Sequence, residues 1–550
     1  MKIIIIGAVA GGTSAATKAR RNDEKAEIII YDKSNYISYS GCGMPYYISR
    51  EVEDRNLLVP RGVEYFKNTY NIDIKINHEV LKIDSIKKNV RVKNLLTGEE
   101  FITPYDKLVI ATGARANLIP VPGINLPHVF VLRNIENMDQ IRTYVDRYKV
   151  KTAAVIGSGF IGLEMVEAFS HLGLSVTLIE KLKQVSPSLD EDMAEYVKNY
   201  METNGVKVYL DTNVKEIKDS NVIITKDGKD IDVKADIVLV AAGAKPNVEL
   251  AIDAGITLGK SNAIKVNERL ETNIKDVYAC GDCIEEWNAN DKTPMYRPLG
   301  STANKTGRIV GDNITGGNSI FKGILGTSIY KIFDMTVAQT GKTEKDFATS
   351  NSGIIVSHNI KPNKPEYMGG KDMIIKTISD QNGTILGAQI VGYEGVDKRI
   401  DVLATSIYFK AKAEDLENLD LAYAPPFSTA RDPINYTGMI IDNIVNKNRT
   451  LITPEQFLKN KEGPRQIIDT RSPFQYGISH IDEAINIPQF KIRKELKNLD
   501  RNKQTIVYCV KGLTANAVQN VLLNSGFKNV ENLSGGYINF VNCKDLFKNN

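Results

Sequence analysis

One cysteine stands between two glycines in the stretch from Ser38 to Ile48, SYSGCGMPYYI, with a proline three residues after it. Pro45 suits the first turn of a helix, and Gly41 and Gly43 permit close backbone approach, so the sequence places Cys42 at a helix amino terminus. The dipole and unpaired N–H groups at such an end favour thiolate over thiol, which is the chemistry of a nucleophile or redox centre. The competing assignment is an inert cysteine in a tight turn. The other cysteines are Cys280, Cys283, Cys509 and Cys543. Five in 550 residues make no disulfide framework and fit a reducing cytoplasm. Cys280 and Cys283 form a C-x-x-C with no second such pair or histidine pair nearby, and are read as structural.

Glycine spacing supplies a second kind of chemistry. The β-branched run Ile3 to Ile6 leads into Gly7, Gly11 and Gly12, then a helical stretch, then a strand ending at Asp32. This is the strand, tight turn, helix and acid-tipped strand of a dinucleotide site, although Val9 stands where the middle glycine belongs. The second copy has all three glycines, Gly157, Gly159 and Gly162, with Glu180 at the tip of the next strand. A helix start offers N–H groups to a pyrophosphate, and the acid accepts from a ribose hydroxyl. Glu180 favours NADH, while Lys181 beside it allows NADPH. Two small-residue turns after apolar strands, at Thr112–Gly113 and Ala242–Gly243, accompany the two copies. Two dinucleotide sites in one chain suit a flavin fed by a nicotinamide.

These elements need a multidomain α/β chain, because 550 residues exceed a single core. A net charge of +4 is close to balanced and gives no reason to expect nucleic acid as a partner. No apolar run reaches the roughly 18 residues of a membrane span. The start MKIIIIGAVAGG is read as mature sequence rather than as a signal peptide, since Gly7 interrupts a very short apolar run.

Taken in order, these motifs resemble the two-dinucleotide flavoprotein disulfide reductases, and Thr272 to Asp282, TNIKDVYACGD, matches a flavin segment of that superfamily. The resemblance implies FAD contacts at Gly281, Asp282, Thr302, Ala303, Thr112, Gly113 and Lys33, with Gly243 on the nicotinamide side. Classical members pair two cysteines four residues apart, whereas here position 37 is isoleucine and position 47 tyrosine. The string S-x-x-x-C-G-M-P-Y-Y therefore resembles the single-cysteine branch of coenzyme A disulfide reductases, persulfide reductases and NADH oxidases or peroxidases. In that branch Cys42 faces the flavin, and it forms a mixed disulfide, takes sulfane sulfur or cycles through a sulfenic acid.

Tyr367 in KPEYMGG and Tyr423 in LAYAPPFS match tyrosines that the coenzyme A disulfide reductase group brings from a partner subunit, which implies a homodimer. The same resemblance makes Ser14, Lys18, Arg21 and Ser38 contacts for coenzyme A. The last hundred or so residues resemble a rhodanese domain. Asp469, Arg471, His480, Ile481, Asn486, Pro488 and Gly535–Gly536 match its signature, and Cys509 its sulfur-carrying cysteine. The loop reads CVKGLT, with Thr514 where an arginine is usual. That loss argues against thiosulfate transfer and leaves persulfide holding or transfer.

The expected architecture is α/β, with two Rossmann-like domains, an α+β dimerisation domain and a rhodanese domain. Residues 1–114 and 244–322 form the FAD domain and 115–243 the NAD(P)H domain. Residues 323–445 form the dimerisation domain, 446–458 a linker and 459–550 the rhodanese-like domain. The expected activity is FAD-dependent NAD(P)H reduction of coenzyme A disulfide, coenzyme A persulfide or polysulfide at Cys42, in the cytoplasm and without membrane partners. The alternative is an NADH oxidase or peroxidase working through a Cys42 sulfenic acid.

Overall fold

The four isoleucines Ile3 to Ile6 carry no polar alternation because their strand is buried on both faces. The computed structural model describes residues 1–348, 353–460 and 463–547. It separates into two compact units, Met1–Lys181 with Gly205–Ile324, and Leu182–Asn204 with Leu325–Asn550.

The first unit holds two parallel five-stranded sheets. One runs Val277–Ala279, Lys107–Ile110, Lys2–Ile6, Glu27–Tyr31, Asp73–Lys75, with Ile3 opposite Ile28 and Ile6 opposite Tyr31. The other runs Lys207–Tyr209, Ser175–Ile179, Thr152–Ile156, Ile237–Val240, Val129–Phe130. The strands Ala114–Ala116 and Ala244–Pro246 pair antiparallel where the chain crosses between the two halves of this unit. The helices Ala10–Asn22 and Gly300–Asn313 pack closely because Gly307 and Gly311 of the second carry no side chain where the two meet. A Cβ at Gly307 would stand 2.3 Å from the Gly11 carbonyl oxygen, and one at Gly311 would stand 2.4 Å from that of Ala15.

The second unit contains an antiparallel sheet ordered Ser328–Ile332, Met335–Gly341, Ile385–Gly392, Asp372–Asp380, Ile354–Pro362. A parallel sheet follows, ordered Leu451–Ile452, Val530–Leu533, Gln504–Tyr508, Arg465–Asp469, Ala484–Asn486. The stretch 446–458, expected as a linker, holds the end of the helix Pro433–Lys447, the strand Leu451–Ile452 and most of the helix Pro454–Lys459. Pairing of Leu451 with Asn532 and Ile452 with Leu533 draws it into the last sheet.

Residues Leu182–Asn204, expected within the NAD(P)H domain, group with the second unit, where the helix Glu191–Thr203 buries Met193, Val197 and Met201. Its first turn enters a buried polar seam. Lys376 Nζ lies 2.7 Å from Asp192 and 3.1 Å from Asp190 and also pairs with Glu344. His358 Nε2 lies 2.7 Å from Asp192, and the His358 N–H donates to Ser534 Oγ at 2.8 Å. The carboxyl-terminal sheet is thus joined to the antiparallel sheet by polar contacts.

Candidate active site

Both glycine turns use the same construction. Gly7 adopts φ +106° and Gly157 φ +102°, and a Cβ at either would collide with the carbonyl of the neighbouring strand end, Ala111 or Ala241. A Cβ at Gly12 would lie 1.9 Å from the Gly7 oxygen, and one at Gly162 would lie 2.0 Å from the Gly157 oxygen, so both helices start tight against their turns. At the helix start of the second copy, Gly159 faces open space, the room that a pyrophosphate needs. The first copy places Val9 there, only partly buried. The acids are set alike. Asp32 accepts from the Ala8 N–H at 2.7 Å and the Ser34 N–H at 2.8 Å, and Glu180 accepts from the Ser158 N–H at 2.8 Å and its hydroxyl at 2.6 Å. Burial raises the Asp32 carboxyl above its ordinary range against these donors.

The flavin segment closes over the first cradle. Gly281 donates its N–H to Thr306 Oγ1 at 3.1 Å, and Thr302 and Ala303 are buried in the first turn of the helix Gly300–Asn313. Asp282 pairs with Arg133 at 2.6 Å, and the Tyr296 hydroxyl donates to the Asp282 carbonyl. Cys280 and Cys283 are fully buried, and the Cys283 thiol donates to the Cys280 carbonyl at 3.2 Å. Burial lifts the Cys283 thiol to about 11 and Cys280 well above its usual value, so both stay protonated and structural.

Cys42 lies in the single 3-10 turn Gly41–Gly43, which runs into the five-residue helix Met44–Ile48 with Pro45 near its start. A Cβ at Gly43 would come within 2.4 Å of the end of the Leu58 side chain, whereas one at Gly41 meets nothing closer than 4.0 Å. The thiol is exposed, but the expected thiolate is not supplied by this short helix. The surrounding walls, and after them the carboxylates of Glu164 and Asp282, raise Cys42 above its ordinary value, with Arg133 opposing. Glu164 is itself raised to about 7 by burial and then by Glu167. Tyr46 is raised to about 12 by burial and by Glu164, so it keeps its O–H beside Cys42. The arrangement offers an accessible thiol with proton donors around it.

Cys509 is buried at the end of the strand Gln504–Tyr508, where its sulfur accepts the Gly512 N–H at 3.1 Å. A Cβ at Gly536 would strike the Cys509 oxygen at 2.6 Å, which explains the terminal glycine of the signature. A cavity of about 330 Å³ opens here, lined by Thr470, Arg471, Ser472, Cys509, Lys511 and Thr514 among others. Asp469 and Arg471 form a buried pair at 2.6 Å, and Asn486 donates to both of their carbonyls, so these signature residues brace the loop. His480 stacks on Tyr476 at 3.9 Å.

Residues 1–303 match the family described as pyridine nucleotide-disulphide oxidoreductase, 327–433 its dimerisation domain, and 453–543 the rhodanese-like domain. The chain belongs to the pyridine nucleotide-disulphide oxidoreductase family. It is 37% identical over 442 residues, 79% of this chain and 97% of the relative, to a protein of Methanocaldococcus jannaschii named NADH oxidase. It is 34% identical over 439 residues, 80% of this chain and 98% of the relative, to one of Staphylococcus haemolyticus named coenzyme A disulfide reductase. The solved structure of reduced Bacillus anthracis CoADR-RHD aligns with a TM-score of 0.96 at 36% identity, covering 99% of this chain and 98% of that one. The structure of a NAD-dependent persulfide reductase from A. fulgidus aligns with a TM-score of 0.91 at 35% identity, covering 98% of this chain and 100% of that one.

Membership of this oxidoreductase family implies FAD and a nicotinamide nucleotide, and the two cradles fit them. Other expected residues of this family member have partners within the chain. Ser14 donates to Asn304 at 2.7 Å, Lys18 pairs with Asp312 at 3.0 Å, and Arg21 lies over the Tyr70 ring. Lys33 is exposed and 3.9 Å from Glu79, while Ser38 donates its N–H to the Ala8 carbonyl. Thr112 donates to the Asn247 carbonyl beside Gly113, and Gly243 accepts from Asn117. Tyr367 and Tyr423 are 76% and 51% exposed. Sequence reasoning missed Arg133 and Glu164. Glu164 carried a signal, standing two residues after the last glycine of its motif, and Arg133 carried none.

Proposed function

We propose that this chain is an FAD-dependent NAD(P)H reductase of coenzyme A disulfide, coenzyme A persulfide or polysulfide, with Cys42 as its single redox cysteine. The carrying observation is that Cys42 is the one exposed thiol of the five, while Cys280 and Cys283 are sealed beside the flavin segment. An internal disulfide is therefore not at hand, and the oxidised sulfur comes from the substrate.

Asp32, the turn at Gly7 to Gly12, Asp282, Thr302 and Ala303 would hold FAD, which supplies an electron pair to sulfur at Cys42. Gly157 to Gly162 and Glu180 would hold the nicotinamide nucleotide. The buried Glu180 carboxylate supports NADH, since a 2′-phosphate would meet its negative charge. For a disulfide R–S–S–R, the Cys42 thiolate attacks one sulfur, the S–S bond breaks, and one thiolate leaves and takes a proton. Two electrons then break the Cys42–S bond and release the second thiol, restoring Cys42. Tyr46 and Glu164, which both hold protons near neutrality, are the local donors. Tyr367 and Tyr423 supply further hydroxyls from a second copy of the chain, and their exposure supports this placement. The rhodanese-like domain handles sulfane sulfur at Cys509, where Thr514 weakens any role with thiosulfate.

The relative named NADH oxidase supports a second activity, oxygen or peroxide reduction through a Cys42 sulfenic acid. The test is NADH consumption with coenzyme A disulfide or polysulfide under argon, and then with oxygen alone. Multiple turnovers under argon are expected. Turnover with oxygen only would make the proposed substrate class wrong.

A further inference from the structure

The two charged side chains that line the Cys509 cavity, Arg471 and Lys511, are each paired with a carboxylate. Arg471 lies 2.6 Å from Asp469 and also donates to the Ser479 carbonyl at 2.7 Å. Lys511 is held from outside the rhodanese-like domain. Its Nζ lies 2.7 Å from Asp372 Oδ1 and 2.6 Å from Oδ2, so both oxygens of one carboxylate face one ammonium. Asp372 opens the strand Asp372–Asp380 of the antiparallel sheet, opposite Pro362. Thr514, which also lines the cavity, is neutral.

Backbone donors are what remains to face a negative charge on Cys509. The Gly512 N–H meets the sulfur at 3.1 Å, just before the helix Leu513–Asn524. Such donors suit a single charge. A hydropersulfide R–S–SH adds none: the Cys509 thiolate attacks its outer sulfur, a Cys509–S bond forms, the donor S–S bond breaks, and RS⁻ leaves while the proton stays on the transferred sulfur. One negative charge is present before and after. With thiosulfate the same attack on the outer sulfur releases sulfite and leaves a Cys509 persulfide anion, so three negative charges share the cavity throughout. Neither transfer needs an oxidant or a reductant. Repulsion among three charges disfavours the second transfer unless an unpaired cation offsets it.

We propose that Asp372, from outside the rhodanese-like domain, sets the donor specificity of Cys509: by neutralising Lys511 it restricts the cavity to persulfide donors and excludes dianions such as thiosulfate. This rests on the reading of Cys509 as a sulfane-sulfur site. Asp372 acts through Lys511 and is a positioning residue. A role in stability alone accounts for less, because the two side chains are 37% and 34% exposed and ion pairs so placed contribute little to the fold.

The test uses the full-length protein, with cysteine persulfide and thiosulfate as donors and the Cys509 persulfide followed by peptide mass spectrometry. In Asp372→Asn the ratio of thiosulfate to persulfide loading rates is expected to rise about fivefold, and added salt to shrink that gain. The ratio of Cys509 alkylation by iodoacetate to that by neutral iodoacetamide is expected to rise alike, and a change in access alone would not move it. Lys511→Met, which leaves Asp372 uncompensated, should lower both ratios, and combining it with Asp372→Asn should erase the gain. Unfolding temperatures identify any loss of fold, and Lys511→Met tests the charge independently of the Asn variant. Unchanged ratios in folded Asp372→Asn, a gain that survives removal of Lys511, or ratios unmoved in Lys511→Met would overturn the proposal. If the alkylation ratio responds to Asp372 but neither donor loads Cys509, the sulfur-handling reading fails and the charge assignment stands.

Discussion

The Arg133 guanidinium lies 2.6 Å from the Asp282 carboxylate, and its Nε–H donates to the Ala114 carbonyl at 2.9 Å. Arg133, the cation that opposes the rise of the Cys42 thiol, is thus already paired with a carboxylate. Burial is the largest influence on that thiol, and Glu164, on the helix Phe160–His171 that follows the second glycine turn, is the next.

Glu164→Gln should make Cys42 a better nucleophile at alkaline pH. Above about 7 the wild-type Glu164 is ionised and disfavours the thiolate, and below it the carboxyl is neutral and matters less. Alkylation of Cys42 by iodoacetamide at about pH 8 is expected to rise about threefold in the variant, with the difference shrinking toward about pH 6. Equal rates throughout would remove Glu164 from this role.

Gly307→Ala should weaken flavin retention. The new methyl would stand 2.3 Å from the Gly11 oxygen and 2.9 Å from Ser14 Cβ, which forces apart the two helices that frame the cradle. A stability loss of about 1–3 kcal/mol is expected, together with less flavin per chain by absorbance. Full flavin content and an unchanged melting temperature would contradict the packing account.

Both glycine turns and their acids are legible in the sequence because each rests on glycines forced by backbone contact and on an acid at a fixed strand tip. Gly7, Gly12, Gly157 and Gly162 are cases where a Cβ cannot fit, so spacing alone carries the information. Arg133 was not legible. Its partner Asp282 is 149 residues away, and only the folded chain joins them. The thiolate expected at Cys42 is not legible for a related reason: the helix is one short turn, and the walls that bury the thiol and the carboxylates that oppose its ionisation come from distant segments. Residues 446–458 read as a linker because a two-residue strand, Leu451–Ile452, has no periodicity to detect.

Lys376→Met should strongly destabilise the second unit, because Asp190, Asp192 and Glu344 would then face one another without their cation. A loss of about 3–5 kcal/mol is expected from breaking such a buried network. Burial works to raise Asp192, but Lys376 and His358 outweigh it and hold its carboxyl below the ordinary carboxylate range. Its stabilising contribution is therefore present above that range and is lost as pH falls toward the lowered value. Denaturant midpoints of the wild type at about pH 7 and about pH 3 should show this loss, with a smaller pH difference in Lys376→Met. Equal midpoints for the two proteins would contradict it.

Cys42→Ser should abolish reduction of coenzyme A disulfide while leaving the bound flavin reducible by NADH, because the substitution touches neither cradle. A drop of at least about a thousandfold in turnover is expected for loss of the sole nucleophile. Residual turnover within about tenfold of the wild type would transfer the chemistry elsewhere.

The most direct measurement treats the reduced protein with coenzyme A disulfide in the absence of NADH and identifies the adducts on each cysteine by peptide mass spectrometry. A coenzyme A mixed disulfide on Cys42, reversed by NADH and absent from Cys280 and Cys283, is predicted. An unmodified Cys42 that acquires only sulfenic or sulfinic oxygen on exposure to air would contradict the central claim that its partner is sulfur.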